Sequence, residues 1–310
     1  MTDLFPGFSS QHITTPTGIR IFTRVSPKTQ PTKPPLLLIH GFPQTHIEWH
    51  KVTPLLLPHF TLILLDLRGY GSSSLAPTCT NGSEYTKRLM AQDCITVMDA
   101  LGFTAKFSVV GHDRGGRVAY RLAFDAPDRV EKLVVLDIVP TASMFRGFED
   151  AGSALKAYHW LFLAQPAPFP ENMIAGLDGG RGFLEHSLAS WTGVGTLDCF
   201  DAEVLERYRE AYCEEGRIHA TCEDYRAGVF FDRVYDEEEL EGGRKIGVPV
   251  LAVWGKRGFP GQGVERGAAG PLEVWRRYCT DVRGRGLSCG HFIPEEDPQG
   301  LAGEILHFLG

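Results

Sequence analysis

The stretch from Ser108 to Tyr120 reads SVVGHDRGGRVAY. An apolar, β-type run enters Gly111-His112-Asp113-Arg114-Gly115, and an amphipathic helical pattern follows. The spacing is that of the G-x-S-x-G strand-turn-helix elbow, with Asp in place of Ser. Small residues are needed at both flanks because the turn is tight. It projects its central side chain at a helix amino terminus, where backbone amides and the helix dipole favour a carboxylate. Asp113 is therefore the candidate nucleophile. A carboxylate attacks as it stands and yields an ester that a second step must hydrolyse, which suits displacement at an sp³ carbon. Five loosely specified residues also fall together by chance, and the position straight after a buried strand is what argues against chance here.

Around the elbow, short apolar runs alternate with longer amphipathic stretches, the pattern of a parallel sheet wrapped in helices. The runs are Leu36 to His40, Thr61 to Asp66, Phe107 to Gly111, Leu133 to Asp137 and Val248 to Trp254. Their near-continuous apolarity means that both faces are covered. Ahead of them, His12 to Thr15 and Ile19 to Arg24 flank Thr17-Gly18, which predicts an antiparallel hairpin at the sheet edge. The alternation stops near Pro140 and resumes near Lys245. The aromatic-rich segment between reads as helical, with Leu205, Tyr208 and Tyr212 spaced along one face. The expected fold is α/β: a mostly parallel central sheet flanked by helices, with a core of residues 1–140 and 246–310 and a helical cap of residues 141–245. Such a cap would lie over the carboxyl ends of the strands, where open α/β sheets bind ligands.

The composition excludes several functions. The 310 residues carry 31 Lys plus Arg against 38 Asp plus Glu, a formal charge of −7, the opposite of a nucleic-acid-binding footprint. No run approaches the roughly 20 apolar residues of a membrane helix, and Met1 to Gln30 has no export signal, so a cytoplasmic protein with no membrane contact is expected. The 7 cysteines (Cys79, Cys94, Cys199, Cys213, Cys222, Cys279, Cys289) are odd in number and never form C-x-x-C, which suits reduced structural thiols. His46-Ile47-Glu48-Trp49-His50 has two histidines at helical spacing but lacks the Glu position of H-E-x-x-H, and there is no phosphate-binding Gly-Lys-Ser/Thr loop. Neither metal nor cofactor is expected. Asn81-Gly82-Ser83 matches a glycosylation acceptor and, without export, reads as a turn.

An ester intermediate needs a base to activate water. Of 11 histidines, His291 in Ser288-Cys289-Gly290-His291-Phe292 is the candidate, because it follows the nucleophile near the C-terminus in the chain order of such sites. The acid that orients an imidazole often follows the later strand, but Val250 to Gly255 ends in Lys256-Arg257-Gly258. By elimination the role falls to Asp137 at the end of Leu133 to Leu136, where a strand-end Asp capping a turn is the plainer alternative. In His40-Gly41-Phe42-Pro43, the backbone N–H of Phe42, with that of Arg114, would form an oxyanion hole.

HGFPQT at His40 to Thr45, DLRGYGSS at Asp66 to Ser73 and GHDRGGRVAYRLA at Gly111 to Ala123 resemble the α/β-hydrolase branch that holds haloacetate dehalogenases and epoxide hydrolases. VVLDIVPT at Val134 to Thr141, HWLFLAQPAPFPE at His159 to Glu171, HATCEDYRAG at His219 to Gly228 and CGHFIPEEDP at Cys289 to Pro298 are most similar to the fluoroacetate dehalogenase group. The resemblance implies that Asp113 displaces halide from the α-carbon of a small 2-haloacid, that His291 activates water, and that Asp137 is the acid. It further implies that Arg114 and Arg117 hold the substrate carboxylate and that His159, Trp160 and Tyr225 bind the halide. Arg117 lies one helical turn beyond Asp113, and a guanidinium fork suits a carboxylate, though a salt bridge on the helix surface is the plainer use of that position. Three side-chain donors suit fluoride, a poor leaving group. The expected partner is thus a small anionic substrate, with a homodimer open. Epoxide hydrolysis shares the Asp-Asp-His apparatus but calls for two acidic lid tyrosines; aligning Gln165-Pro166 with the epoxide hydrolase lid puts His159 where the first would stand and leaves only Tyr225. A non-catalytic receptor for small carboxylates would have no need of Asp113, Asp137 and His291. Gly255 to Gly270, a Gly-rich basic loop beside the expected pocket, has no role that the resemblance fixes.

Overall fold

The computed structural model describes residues 3–27, 32–77, 80–262 and 270–310. Cys79 and positions 263–269 of the Gly-rich loop lie outside the described residues. Eight strands form one sheet in the order β1-β2-β4-β3-β5-β6-β7-β8. They are β1 (Ser9–Thr14), β2 (Arg20–Val25), β3 (Pro35–Ile39), β4 (Thr61–Leu65), β5 (Phe107–His112), β6 (Val130–Leu136), β7 (Val250–Gly255) and β8 (Val282–Leu287). The β1–β2 and β2–β4 pairs are antiparallel and the remaining pairs are parallel.

The apolar runs form the centre because both of their faces can be buried. Leu37, Ile39, Ile63, Leu65, Val109 and Val135 face one core, and Leu36, Leu38, Leu62, Leu64, Val110 and Val134 face the other. This period of two follows from the alternation of side chains along a strand. The first hairpin turns where expected: Gly18 takes φ 84° and Thr15 N–H donates to Ile19 O at 2.8 Å. Its first strand begins earlier than the sequence suggested, at Ser9, and its second is shifted by one residue, to Arg20–Val25.

β8, VRGRGL, is absent from the expected strands because charges and glycines hide it. Its glycines answer to β7: a Cβ on Gly284 would lie 2.8 Å from the Trp254 ring, and one on Gly286 would lie 2.7 Å from Trp254 Nε1. Glycine in this edge strand lets a large neighbour lie flat across it.

Between β6 and β7 the chain forms eight α-helices, from Thr141–Gly147 to Arg233–Glu241, and no strand among the described residues. Their aromatic faces join the core on the side where the strands end. Among the described residues, no helix is long and apolar enough to cross a membrane.

Candidate active site

β5 delivers Asp113 to the mouth of the sheet. Asp113 opens the helix Asp113–Asp125 at φ 45°, in the left-handed region that a side chain rarely adopts. The flanking glycines have no room for a side chain: a Cβ on Gly111 would lie 2.3 Å from Gly115 O, and one on Gly115 would lie 2.3 Å from Ile39 O. Only 7% of Asp113 is exposed. Burial opposes its charge, but His291, Arg114, Arg117 and His112 outweigh it and hold the carboxyl below its ordinary range. From the loop after β3, Phe42 N–H donates to Asp113 Oδ1 at 3.0 Å. Arg114 N–H belongs to the first turn of the helix, whose N–H groups have no partner within the helix.

Asp137 follows β6 at φ 52°, the other non-glycine residue among those described with a positive φ. It accepts from His291 Nδ1 at 2.6 Å and from Gly255 N–H at 2.8 Å. The end of β7 carries no carboxylate because its backbone lies against this one: a Cβ on Gly258 would be 2.7 Å from Asp137 Oδ2.

His291 is fixed from two further directions. Its N–H donates to Trp191 O of the cap at 2.9 Å, and its carbonyl accepts from His112 Nε2 at 2.9 Å. Glu296 ties the same two segments together. Its Oε2 accepts from Gly193 N–H of the cap at 2.8 Å and from Gly290 N–H at 2.9 Å, while Oε1 accepts from Phe292 N–H at 3.1 Å.

The two arginines differ. Arg117 Nη1 donates to Val139 O and Thr141 Oγ1, and its Nε is buried without a hydrogen-bond partner. Arg114 is gripped by Asp224 of the cap helix Arg217–Ala227: Nε reaches Oδ2 at 2.9 Å and Nη2 reaches Oδ1 at 2.8 Å, leaving Nη1 buried and unpartnered. Lys87 also pairs with Asp224. Trp160 lies 4.3 Å from the Arg117 guanidinium carbon, and Tyr225 lies 4.3 Å from that of Arg114. These cation–π contacts hold both heads without using their N–H groups. His159 and Trp160 share the helix Tyr158–Leu163 with ring centroids 6.5 Å apart, and Tyr225 stands 5.7 Å from His159 and 5.4 Å from Trp160. Burial dominates at His159 and pushes its imidazole down to about 3, so it is neutral.

Asp113, Asp137, His291, Arg117, His159 and Trp160 all line one cavity of about 350 Å³, with apolar wall from Met144, Trp191 and Phe259. That is the lower end of the range for small-molecule pockets. Arg114, Tyr225 and Phe42 stand behind the lining, in contact with it. Sequence reading missed Trp191, Gly258, Glu48 and Asp224. Asp224 stands inside the quoted string HATCEDYRAG, but its partners are remote in sequence and nothing local signals them.

A sequence profile of the alpha/beta hydrolase fold matches residues 34–259, and the chain belongs to that family. Its class of activity is hydrolytic. One relative, the fluoroacetate dehalogenase of Burkholderia sp, is 41% identical over 276 residues, covering 89% of this chain and 87% of that protein. The soluble epoxide hydrolase of Corynebacterium sp. (strain C12) is 32% identical over 282 residues, covering 89% and 90%. Among solved structures, ALR0039, an alpha/beta hydrolase from Nostoc sp PCC 7120, superposes with a TM-score of 0.90 at 42% identity over 98% of this chain and 99% of that one.

Proposed function

We propose that the protein is a hydrolytic dehalogenase of small 2-haloacids, releasing halide and the 2-hydroxy acid through an ester on Asp113. The observation that carries this reading is the shared cavity: a buried carboxylate at an elbow faces Arg117, His159, Trp160 and the His291–Asp137 pair. Arg117, with Arg114 Nη1 behind it, holds the substrate carboxylate. Asp113 attacks the α-carbon, the carbon–halogen bond breaks with its electron pair, and His159 N–H and Trp160 N–H solvate the leaving halide, with Tyr225 O–H approaching it from behind these two rings. His291 then takes a proton from water as the hydroxyl adds to the ester carbon. The negative oxygen that develops is met by the Phe42 and Arg114 N–H groups, and Asp137 stabilises the imidazolium. Collapse expels the 2-hydroxy acid, which takes the proton from His291, and regenerated Asp113 loses its proton to solvent. General base catalysis of this kind contributes about 10²–10⁴-fold.

Epoxide hydrolysis is the second reading, supported by the Corynebacterium relative. It requires lid acids that give a proton to the opening oxygen. A neutral imidazole at His159 is a hydrogen-bond donor but not an acid of that strength, which favours halide solvation.

Fluoroacetate, chloroacetate and a styrene-type epoxide, offered separately with halide and diol measured, test the choice. Halide release is expected, and diol without halide would sink the dehalogenase reading. Asp113→Asn should abolish turnover. His291→Asn should accumulate the ester, seen as added mass on the intact protein.

A further inference from the structure

Glu48 and His112 are fully buried, and the reaction above uses neither side chain. The motif HIEWH, which as a sequence offers only an incomplete metal pattern, forms a single 3₁₀ turn, His46–Trp49, and sends its polar side chains to separate places. His46 bonds Asp66, His50 bonds Asp201, and Glu48 points under the elbow. There its Oε2 accepts from His112 Nδ1 at 3.1 Å and from Gly41 N–H at 3.3 Å. His112 Nε2 in turn meets the carbonyl of His291 at 2.9 Å, and the two imidazole rings lie 4.7 Å apart.

The donors can be counted. Both partners of His112, a carboxylate oxygen and a carbonyl oxygen, only accept. A neutral imidazole has one N–H and satisfies one of them, whereas the imidazolium satisfies both. We propose that Glu48 holds His112 as a buried cation, making the pair a positioning device that anchors the backbone of His291 and sets a fixed positive charge beside Asp113 for hydrolysis of the ester. This rests on the ester reading above. The titratable groups facing His112 are Glu48 from the turn after β3, Asp113 beside it in the elbow, Asp137 from the end of β6, and His291. Burial works against its charge, but Glu48 above all, then Asp113 and Asp137, push the imidazole up to about 9.

Stability alone does not account for the pair. Glu48 Oε1 is buried with no hydrogen-bond partner, and apolar residues of similar volume usually serve a fold as well as a buried ion pair does. Its position fits function better. Glu48 also holds Gly41, next to the Phe42 N–H that reaches Asp113.

Glu48→Gln removes the charge while keeping the side chain's size: its amide can donate to a neutral His112 that still donates to His291, although Gly41 N–H then loses its acceptor. In single turnovers with chloroacetate, ester formation in this variant should stay within about threefold of wild type, while ester hydrolysis at pH 8 slows about tenfold, the rate equivalent of about one unit of pKa. With Glu48 gone, burial dominates and His112 stays neutral, so the variant should lack the decline in hydrolysis that the wild type shows as the pH rises through about 9. The same decline in the variant, or hydrolysis within twofold of wild type at pH 8, overturns the proposal. The ¹⁵N chemical shifts of His112 in the wild type test it without any substrate: two protonated ring nitrogens at pH 7 support it, and a neutral ring overturns it. Should no ester appear even in His291→Asn, the dehalogenase mechanism fails, and the ring nitrogens alone decide whether the pair is charged.

Discussion

Asp224 shows how a single side chain governs groups from distant parts of the chain. Burial opposes its charge, but Arg114 and Lys87 hold the carboxyl well below its ordinary range. Removing one partner of such a buried cluster costs about 3–5 kcal/mol, because the remaining charges lose their compensation. Asp224→Asn should therefore lower the thermal midpoint, and it should raise KM for haloacids more than it lowers kcat, since Arg114 loses the acceptor that aims it. Steady-state kinetics and a melting curve check both; an unchanged KM would remove Arg114 from substrate binding. At this scale the sequence displayed the residues whose chemistry depends on a local motif. Asp113 stood in its elbow, His291 after the last strands, and Asp137 at a strand end. It hid those defined by a distant partner: Glu48 lies 64 positions from His112 and Asp224 lies 110 from Arg114, and no local spacing encodes either pair.

Among the elements, the backbone after β7 is as much a part of the site as any side chain. Gly255 donates to Asp137, and Gly258 passes within contact of the same carboxylate. Gly258→Ala should displace Asp137 and stretch its 2.6 Å bond to His291. A misplacement of about 1 Å in such a site costs about 10²-fold in rate, so kcat should fall on that order while the fold persists. Unchanged turnover would mean that the loop yields and the carboxylate does not. The expectation that β7 would carry the acid gave way, on sequence grounds alone, to Asp137; the structure adds the steric reason for glycine there. The central strands were legible because burial on both faces leaves an uninterrupted apolar run. β8 was not, since its Arg-Gly alternation is shaped by Trp254 of the neighbouring strand.

For the whole molecule, the buried charges set a window of stability. Asp66 and Glu171 each sit at about 2, against ordinary values of 3.8 and 4.5; burial opposes this, and their histidine and arginine partners prevail. Groups lowered in this way contribute stability above their ordinary pKa and lose it as the pH falls through the folded value. His112 and Asp236 are raised, to about 9 and about 7; at Asp236 burial is the cause. Their contribution is full below their ordinary values of 6.5 and 3.8, and it disappears as the pH rises through 9 and 7. The thermal midpoint should thus peak at about pH 4 to 5, fall steeply below pH 4 as Asp66 and Glu171 are protonated, and decline through pH 7 toward pH 9, with Glu48→Gln flattening the alkaline side. Calorimetry across that range checks it; a midpoint rising from pH 7 to 9 would contradict the assignment. The cap's tie to His291 has a consequence at the same scale. Trp191 O and Gly193 N–H belong to the cap, yet they hold the loop that carries the base, through His291 N–H and Glu296. Under the proposed mechanism these contacts make an interlock: His291 would be aligned to activate water only while Trp191 and Gly193 rest against its loop, so displacing them and activating water would exclude one another.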